Sequence, residues 1–203
     1  MAREELATAI WGEVRPAAAA EAIRALLSKL RAVVGRDRLP ADGPLRLSLG
    51  EGAIVDVETA ARAIHDAESS VAREQWERAW IASHTAMNVA RRSFLAGHDC
   101  AWVDERRREL GNTYARSMAT LASAALHLGG PELVTAERVA RELVAAEPLS
   151  EGATALLMQA LDARGERPAA LLAYDELRLR LRESLGVAPG PRLLDLHSQI
   201  VLR

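Results

Sequence analysis

A short side-chain pattern near the C-terminal end of the chain repeats with a period of 34 residues. Each copy has a small residue, a second residue four positions later and a leucine three positions after that. The two copies are Ala136, Ala140, Leu143 and Ala170, Tyr174, Leu177. This spacing places the members of a copy on one face of a helix. A period of this length is typical of tetratricopeptide repeats, in which each helical hairpin buries its apolar face by stacking on a neighbour.

The remainder of the C-terminal part also has a helical pattern. Hydrophobic residues make up 49% of the 203 residues and aromatic residues only 3%, so Ala, Leu and Val must supply the core. Apolar periodicity predicts helices over 56–72, 73–94 and 102–128, and no strand pattern follows Asp56. The sequence therefore predicts a mainly α protein that ends in a tetratricopeptide-like array of helical hairpins.

The first fifty residues have a different order of elements. Residues 3–11 predict a short helix that ends at Gly12, and residues 22–35 predict a second helix. The apolar residues of the second helix form one stripe, made of Ile23, Leu26, Leu27, Leu30, Val33 and Val34. The segment that follows, "DRLPADGPLRLSLGEG", alternates leucine with polar residues and predicts a short β-hairpin. Helix, turn, helix and hairpin in this order are typical of a winged helix-turn-helix.

The charge of the chain is distributed unevenly. Residues 15–46 carry seven basic and three acidic side chains, a net charge of +4, although the whole chain carries -2. This asymmetry predicts a small basic module attached to an acidic one and argues against a nucleic-acid surface over the whole chain.

Several stretches resemble a known family. "VDVETAARAI", "WVDERRREL" and "EPLSEGATALLMQALDARGERPAALLAYDELRLRLRESLGVAPGPRLLDLHSQI" resemble the bacterial transcriptional activator domain, the helical half of the SARP regulators (Streptomyces antibiotic regulatory proteins). "REELATAIWGEVRPAAAAEAIRALLSKLRAVVG" resembles the second and third helices of their OmpR-type winged-helix domain. The resemblance implies a partial winged helix over residues 1–50 and an activator domain over 51–203. Met1 stands where the second helix of the family begins, and the wing lacks the family's tyrosine, so we expect an incomplete DNA-binding module.

The resemblance also implies a function, a DNA-binding transcriptional regulator. The helix over 22–35 would enter the major groove of promoter DNA, and the helical domain would contact RNA polymerase or a partner subunit such as a second copy of the chain. The candidate DNA contacts are Arg24, Ser28, Lys29, Arg31, Arg36, Arg38 and Arg46, because arginine suits guanine edges and all three residue types suit phosphates. The alternative is a helical interaction scaffold that does not bind DNA, in which these side chains are a solvated face.

The sequence offers little for other kinds of chemistry. It has no phosphate-binding loop, no GxSxG and no HExxH motif, so we expect neither an enzyme nor a cofactor. His98, Asp99 and Cys100 are adjacent, but three consecutive residues converge poorly on a metal ion, and we expect a loop without a metal site. The cluster Arg106–Arg108 is flanked by carboxylates and predicts a solvated, neutralised helix face. A single cysteine and the absence of a long apolar run predict a cytoplasmic protein that is not in a membrane.

Overall fold

The computed structural model of the chain describes residues 1–202, and within them the backbone forms nine α-helices and no β-strand. The prediction of a mainly α fold is therefore confirmed. The helices are α1 (Arg3–Trp11), α2 (Ala19–Val34), α3 (Asp56–Ala72), α4 (Trp76–Ala90), α5 (Ala101–Leu128), α6 (Glu132–Ala146), α7 (Glu151–Ala163), α8 (Arg167–Leu185) and α9 (Pro191–Leu202). None of them, within the described residues, is long and apolar enough to cross a membrane.

The helices belong to two compact units. The first consists of Met1–Val55 together with Ser93–Leu110, and the second consists of Asp56–Arg92 together with the described chain from Gly111 onward. The N-terminal part of α5, as far as Leu110, therefore belongs to the first unit and the remainder of α5 to the second.

In the first unit, α1 packs against α2 around a small apolar core. Both helices end at a glycine with a positive φ, +65° at Gly12 and +95° at Gly35, a backbone conformation that other residues adopt only at a cost. The fully buried members of the core are Ala7, Ile23, Leu27 and Leu39. The core therefore includes one residue from the segment after α2, which fixes that segment to the helix pair.

The β-hairpin predicted after α2 does not form. One backbone hydrogen bond, from Ser48 N to Arg38 O at 2.8 Å, joins the two arms of the expected hairpin. Leu45 instead exchanges backbone hydrogen bonds with Met1, at 2.9 and 3.4 Å. Pro40 and Pro44 have no N–H to donate to a ladder. Leucine alternation was a misleading signal here, because Leu47 and Leu49 are each 48% exposed and have no buried face to cover.

The apolar stripe of α2 is buried on one side only. Ile23 and Leu27 are buried in the core, whereas Leu26, Leu30 and Val33 are 48%, 44% and 84% exposed. The apolar stripe of α2 is therefore wider than the side of the helix that the core covers.

In the second unit, small side chains lie where helices meet. Ala125 of α5, Ala136 of α6 and Ala160 of α7 form one cluster and are fully buried. Because alanine ends at Cβ, helix backbones can approach each other closely at these positions. Larger side chains, among them Met118, Leu121, Met158 and Leu161, fill the main core beside this contact.

Both copies of the 34-residue pattern face the interior. All six residues of Ala136, Ala140, Leu143 and Ala170, Tyr174, Leu177 are at most 5% exposed. α6 packs on α7, α7 packs on α8, and α9 contacts both α7 and α8. The predicted tetratricopeptide-like stacking of helices is therefore present in α6 to α9.

Polar side chains link the helices of the second unit in three places. Ser83 Oγ donates to Thr120 Oγ1 at 2.8 Å, which joins α4 to α5. Arg116 of α5 donates two hydrogen bonds to the Glu68 carboxylate of α3, at 2.7 and 2.6 Å. Glu137 of α6, whose side chain is 12% exposed, pairs with Arg141 at 2.7 Å and with Arg164, beyond the end of α7.

We predict that Ala136→Leu and Ala170→Leu each lower the free energy of unfolding by about 1–3 kcal/mol, because the added atoms must push two helices apart. Urea unfolding followed by circular dichroism measures the change. Ala145→Leu, at an exposed position of α6, is the control and should leave the midpoint almost unchanged. Parent-like midpoints for both core variants would contradict the close helix contact.

A second prediction concerns the Glu137 ion pairs. Glu137→Gln should lower the free energy of unfolding by about 1–3 kcal/mol, because a largely buried carboxylate is removed from beside two guanidinium groups. Glu142→Gln breaks a pair with Arg138 whose side chains are 46% and 54% exposed, and it should cost about 0–1 kcal/mol. Equal unfolding midpoints for the two variants would show that burial of Glu137 adds nothing.

Candidate nucleic-acid interface

The predicted DNA contacts on α2 lie beside the buried stripe of that helix. Ile23 and Leu27 point into the core, and the residues that follow them, Arg24 and Ser28, are turned about 100° away and are exposed. Lys29 is exposed as well, but it lies on the other edge of the polar face, about 140° around the helix from Arg24. Core packing of α2 therefore fixes the direction in which this polar edge points.

Arg24 lies in an ion pair that is open to solvent. Its guanidinium donates to Glu21 at 3.0 Å, and the two side chains are 70% and 67% exposed. An exposed pair of this kind contributes about 0–1 kcal/mol, so a phosphate could take the place of Glu21 at little cost.

Arg31 has a structural contact in the same unit. Its Nε donates to the Leu39 carbonyl at 3.0 Å, and a terminal nitrogen donates to the Pro40 carbonyl at 3.1 Å. Arg31 thereby attaches the start of the segment after α2 to the helix. Arg31 was predicted to be a DNA contact, and its spacing along the helix gave no sign of this structural role.

The remaining candidates, Arg36, Arg38 and Arg46, are exposed on the irregular segment that replaces the expected hairpin. Arg31 holds this segment through Leu39 and Pro40, and Arg3 holds it through the Ala41 carbonyl at 2.9 Å. The three arginines are therefore carried on a segment fixed at several points rather than on a β-wing.

Two arginines that were not predicted as contacts lie near Arg24. A cleft of about 520 Å³ between α1 and the start of α2 is lined by Arg3, Arg15 and Arg24, with Glu4 as the acidic member. Arg15 donates to Thr8 Oγ1 at 2.6 Å, which fixes its position. Arg15 falls in the basic stretch 15–46, but it precedes the amphipathic pattern, so the helix periodicity gave no signal for it.

The other candidate clusters have structural explanations. Arg107 donates to the carbonyls of Phe94, Leu95 and His98 and pairs with Asp99 and Asp104. It therefore organises the loop that contains His98, Asp99 and Cys100. Arg106 pairs with Glu109, as expected for a cluster neutralised by neighbouring carboxylates. Within residues 1–202, no group of three or more His, Cys, Asp or Glu side chains is arranged to hold a metal ion.

His84 is the histidine with a distinct electrostatic environment. Its Nε2 is buried and has no hydrogen-bond partner among the described residues, and its ring packs edge-on against Trp80 at 4.3 Å. Burial lowers the pKa of His84 below the ordinary 6.5, and the charge of Arg138 lowers it further, while Glu132 acts in the opposite direction. The neutral imidazole is therefore the form that the fold prefers.

A lowered pKa makes stability depend on pH. Below about pH 6.5 the unfolded chain binds a proton at His84 that the folded chain resists, so stability is lost as the pH falls. We predict that the parent loses more stability than His84→Leu between about pH 7.5 and about pH 5.5. Urea unfolding at each pH tests this, with His65→Leu, at an exposed position of α3, as the control. An identical pH profile for His84→Leu and the parent would refute the assignment.

Comparison with known proteins covers both parts of the chain. The family described as the bacterial transcriptional activator domain matches residues 55–201. The regulatory protein AfsR of Streptomyces griseus is 30% identical over 197 residues, which cover 97% of this chain and 20% of AfsR. AfsR of Streptomyces coelicolor is 31% identical over 199 residues with the same coverage. The chain thus spans a fifth of the length of these relatives.

A solved structure has the same fold. Mycobacterium tuberculosis EmbR, determined in complex with a low-affinity phosphopeptide, matches with a TM-score of 0.87 and 23% sequence identity. The match covers 100% of this chain and 55% of the EmbR chain. At this identity the likeness establishes the arrangement of the backbone.

Proposed function

Because this chain belongs to the bacterial transcriptional activator domain family, as its resemblance to the SARP regulators predicted, we propose that it is a DNA-binding regulator of transcription. α2 is the recognition helix on promoter DNA, and the helical array contacts RNA polymerase or a partner subunit, for which a second copy of the chain is a candidate. The protein works in the cytoplasm, where bacterial DNA is found.

The observation that carries the proposal is the extent of the match to AfsR. It covers 97% of the chain, so it includes α1 and α2 as well as the activator domain. The proposal for the polar face of α2 therefore has support from relatives described as regulatory proteins and from the exposure of Arg24, Ser28 and Lys29.

On DNA, the exposed polar face of α2 makes two kinds of contact. Arg24, freed from Glu21, can reach a guanine edge or a phosphate, and Ser28 and Lys29 are suited to phosphates. Arg31 positions the segment that carries Arg36, Arg38 and Arg46, so that these side chains approach the phosphate backbone beside the helix. The binding energy is then mostly electrostatic.

A second candidate function is a helical interaction scaffold that does not bind DNA. Two observations favour it: the hairpin is not formed within the described residues, and Leu26 and Leu30 of α2 are nearly half exposed. A recognition helix that lacks a packed support on this side is less well preorganised for base contacts.

The test measures DNA binding as a function of salt. Fluorescence anisotropy of a labelled random-sequence duplex should show binding by the full chain that weakens steeply between about 50 and 200 mM salt. Arg24→Ala combined with Lys29→Ala should reduce the slope of log affinity against log salt by about two. Arg31 is left unchanged, since its loss would also release the segment after α2.

The matched control is Arg73→Ala combined with Arg78→Ala, two exposed arginines of the second unit. This pair removes the same charge and should retain the parent slope. If the chain fails to bind DNA, the scaffold function stands, and if both double variants bind DNA alike, α2 is not the helix that contacts it.

A further inference from the structure

A groove in the second unit combines exposed apolar side chains with arginine. It lies between the C-terminal half of α8, the loop Gly186–Gly190 and the start of α9, and has a volume of about 460 Å³. We propose that this groove binds a short segment of a partner protein that carries apolar side chains next to carboxylates. The inference deepens the proposed function, because it gives the chemistry of the segment that the helical array contacts.

The walls of the groove are held in place without a ligand. Both carboxylate oxygens of Glu151 accept from Gly190 N at 3.0 Å, which ties the loop to the start of α7. A Cβ at position 190 would lie 2.9 Å from Glu151 Oε2, so a larger residue there would displace this carboxylate. Tyr174, which also lines the groove, stacks on His197 of α9 with ring centroids 4.1 Å apart. The groove is therefore already formed before a partner segment binds, and little conformational entropy of the groove is lost on binding.

Apolar side chains in the groove are exposed to solvent. Leu179, Val187 and Leu194 line it and are 45%, 49% and 43% exposed. They belong to α8, the loop and α9, so three elements contribute to one apolar surface. Clustered exposed apolar side chains with a polar rim are characteristic of protein interaction sites.

The charge of the rim identifies the partner chemistry. The charged side chains that line the groove are Arg178 and Arg182. Arg178 pairs with Asp175 at 3.1 Å, whereas Arg182 forms no ion pair with the described residues. An unpaired guanidinium beside an apolar surface favours binding of a partner segment in which a carboxylate lies next to an apolar side chain. A nucleic-acid backbone would fit poorly, since its phosphates would lie against Leu179, Val187 and Leu194.

The experiment uses two model peptides and the full chain labelled with ¹⁵N. One peptide consists of repeated Leu-Asp-Asp triplets, and the other has lysine in place of aspartate. The acidic peptide should shift the amide signals of residues 179–194, and the lysine peptide should not. Arg182→Glu should weaken binding of the acidic peptide about tenfold, and Leu194→Ser should weaken it about fivefold.

The control is Arg78→Glu, which makes the same charge change at an exposed position of α4 and should leave peptide binding unaltered. The thermal melt of each variant confirms that it is folded. The proposal is wrong if neither peptide shifts the groove residues, if both shift them equally, or if Arg182→Glu and Arg78→Glu behave alike. No DNA is present, so failure here is distinguishable from failure of DNA binding.

Discussion

Close contact between helices at alanine positions is the constraint on which the second unit depends. Ala125, Ala136 and Ala160 are fully buried at the junction of α5, α6 and α7. A Cβ alone lets the backbones approach, and the larger core residues then fill the space beside the contact. The same stacking brings α7 close enough for Glu151 to reach Gly190 and so shapes the groove beside α9.

The parts of the fold that could be predicted from sequence are those in which local pattern and burial agree. The stacking predicted from the 34-residue pattern was confirmed. Ala136 and Ala170 are buried where only a small side chain fits between helices, and this requirement recurs at each helix pair of a repeat. The prediction of a β-hairpin was wrong, because alternating apolar and polar residues indicate a strand only where a partner strand is present and one face is buried. Here Leu45 pairs with Met1 instead, which no local pattern records.

The candidate site was less predictable, since sequence gives the type of a side chain but not its partner. Arg31 lies on the same side of α2 as Arg24, seven residues away, yet it donates hydrogen bonds to carbonyls eight and nine residues later in the chain. Glu137 meets Arg164 at a separation of 27 residues. These partners depend on the path of the chain between helices. Turn and loop geometry therefore decides which arginines are structural.

The basic side chains differ in how far the fold satisfies their hydrogen-bonding groups. Arg31, Arg107 and Arg116 donate several hydrogen bonds within their own units, and their guanidinium groups are committed to the fold. Lys29 and Arg182 are exposed and form no ion pair with the described residues. Desolvating an unpaired cation is favourable only when an anion replaces the water. In the two functions that we propose, an unpaired cation of α2 binds a phosphate and an unpaired cation at the groove binds a carboxylate.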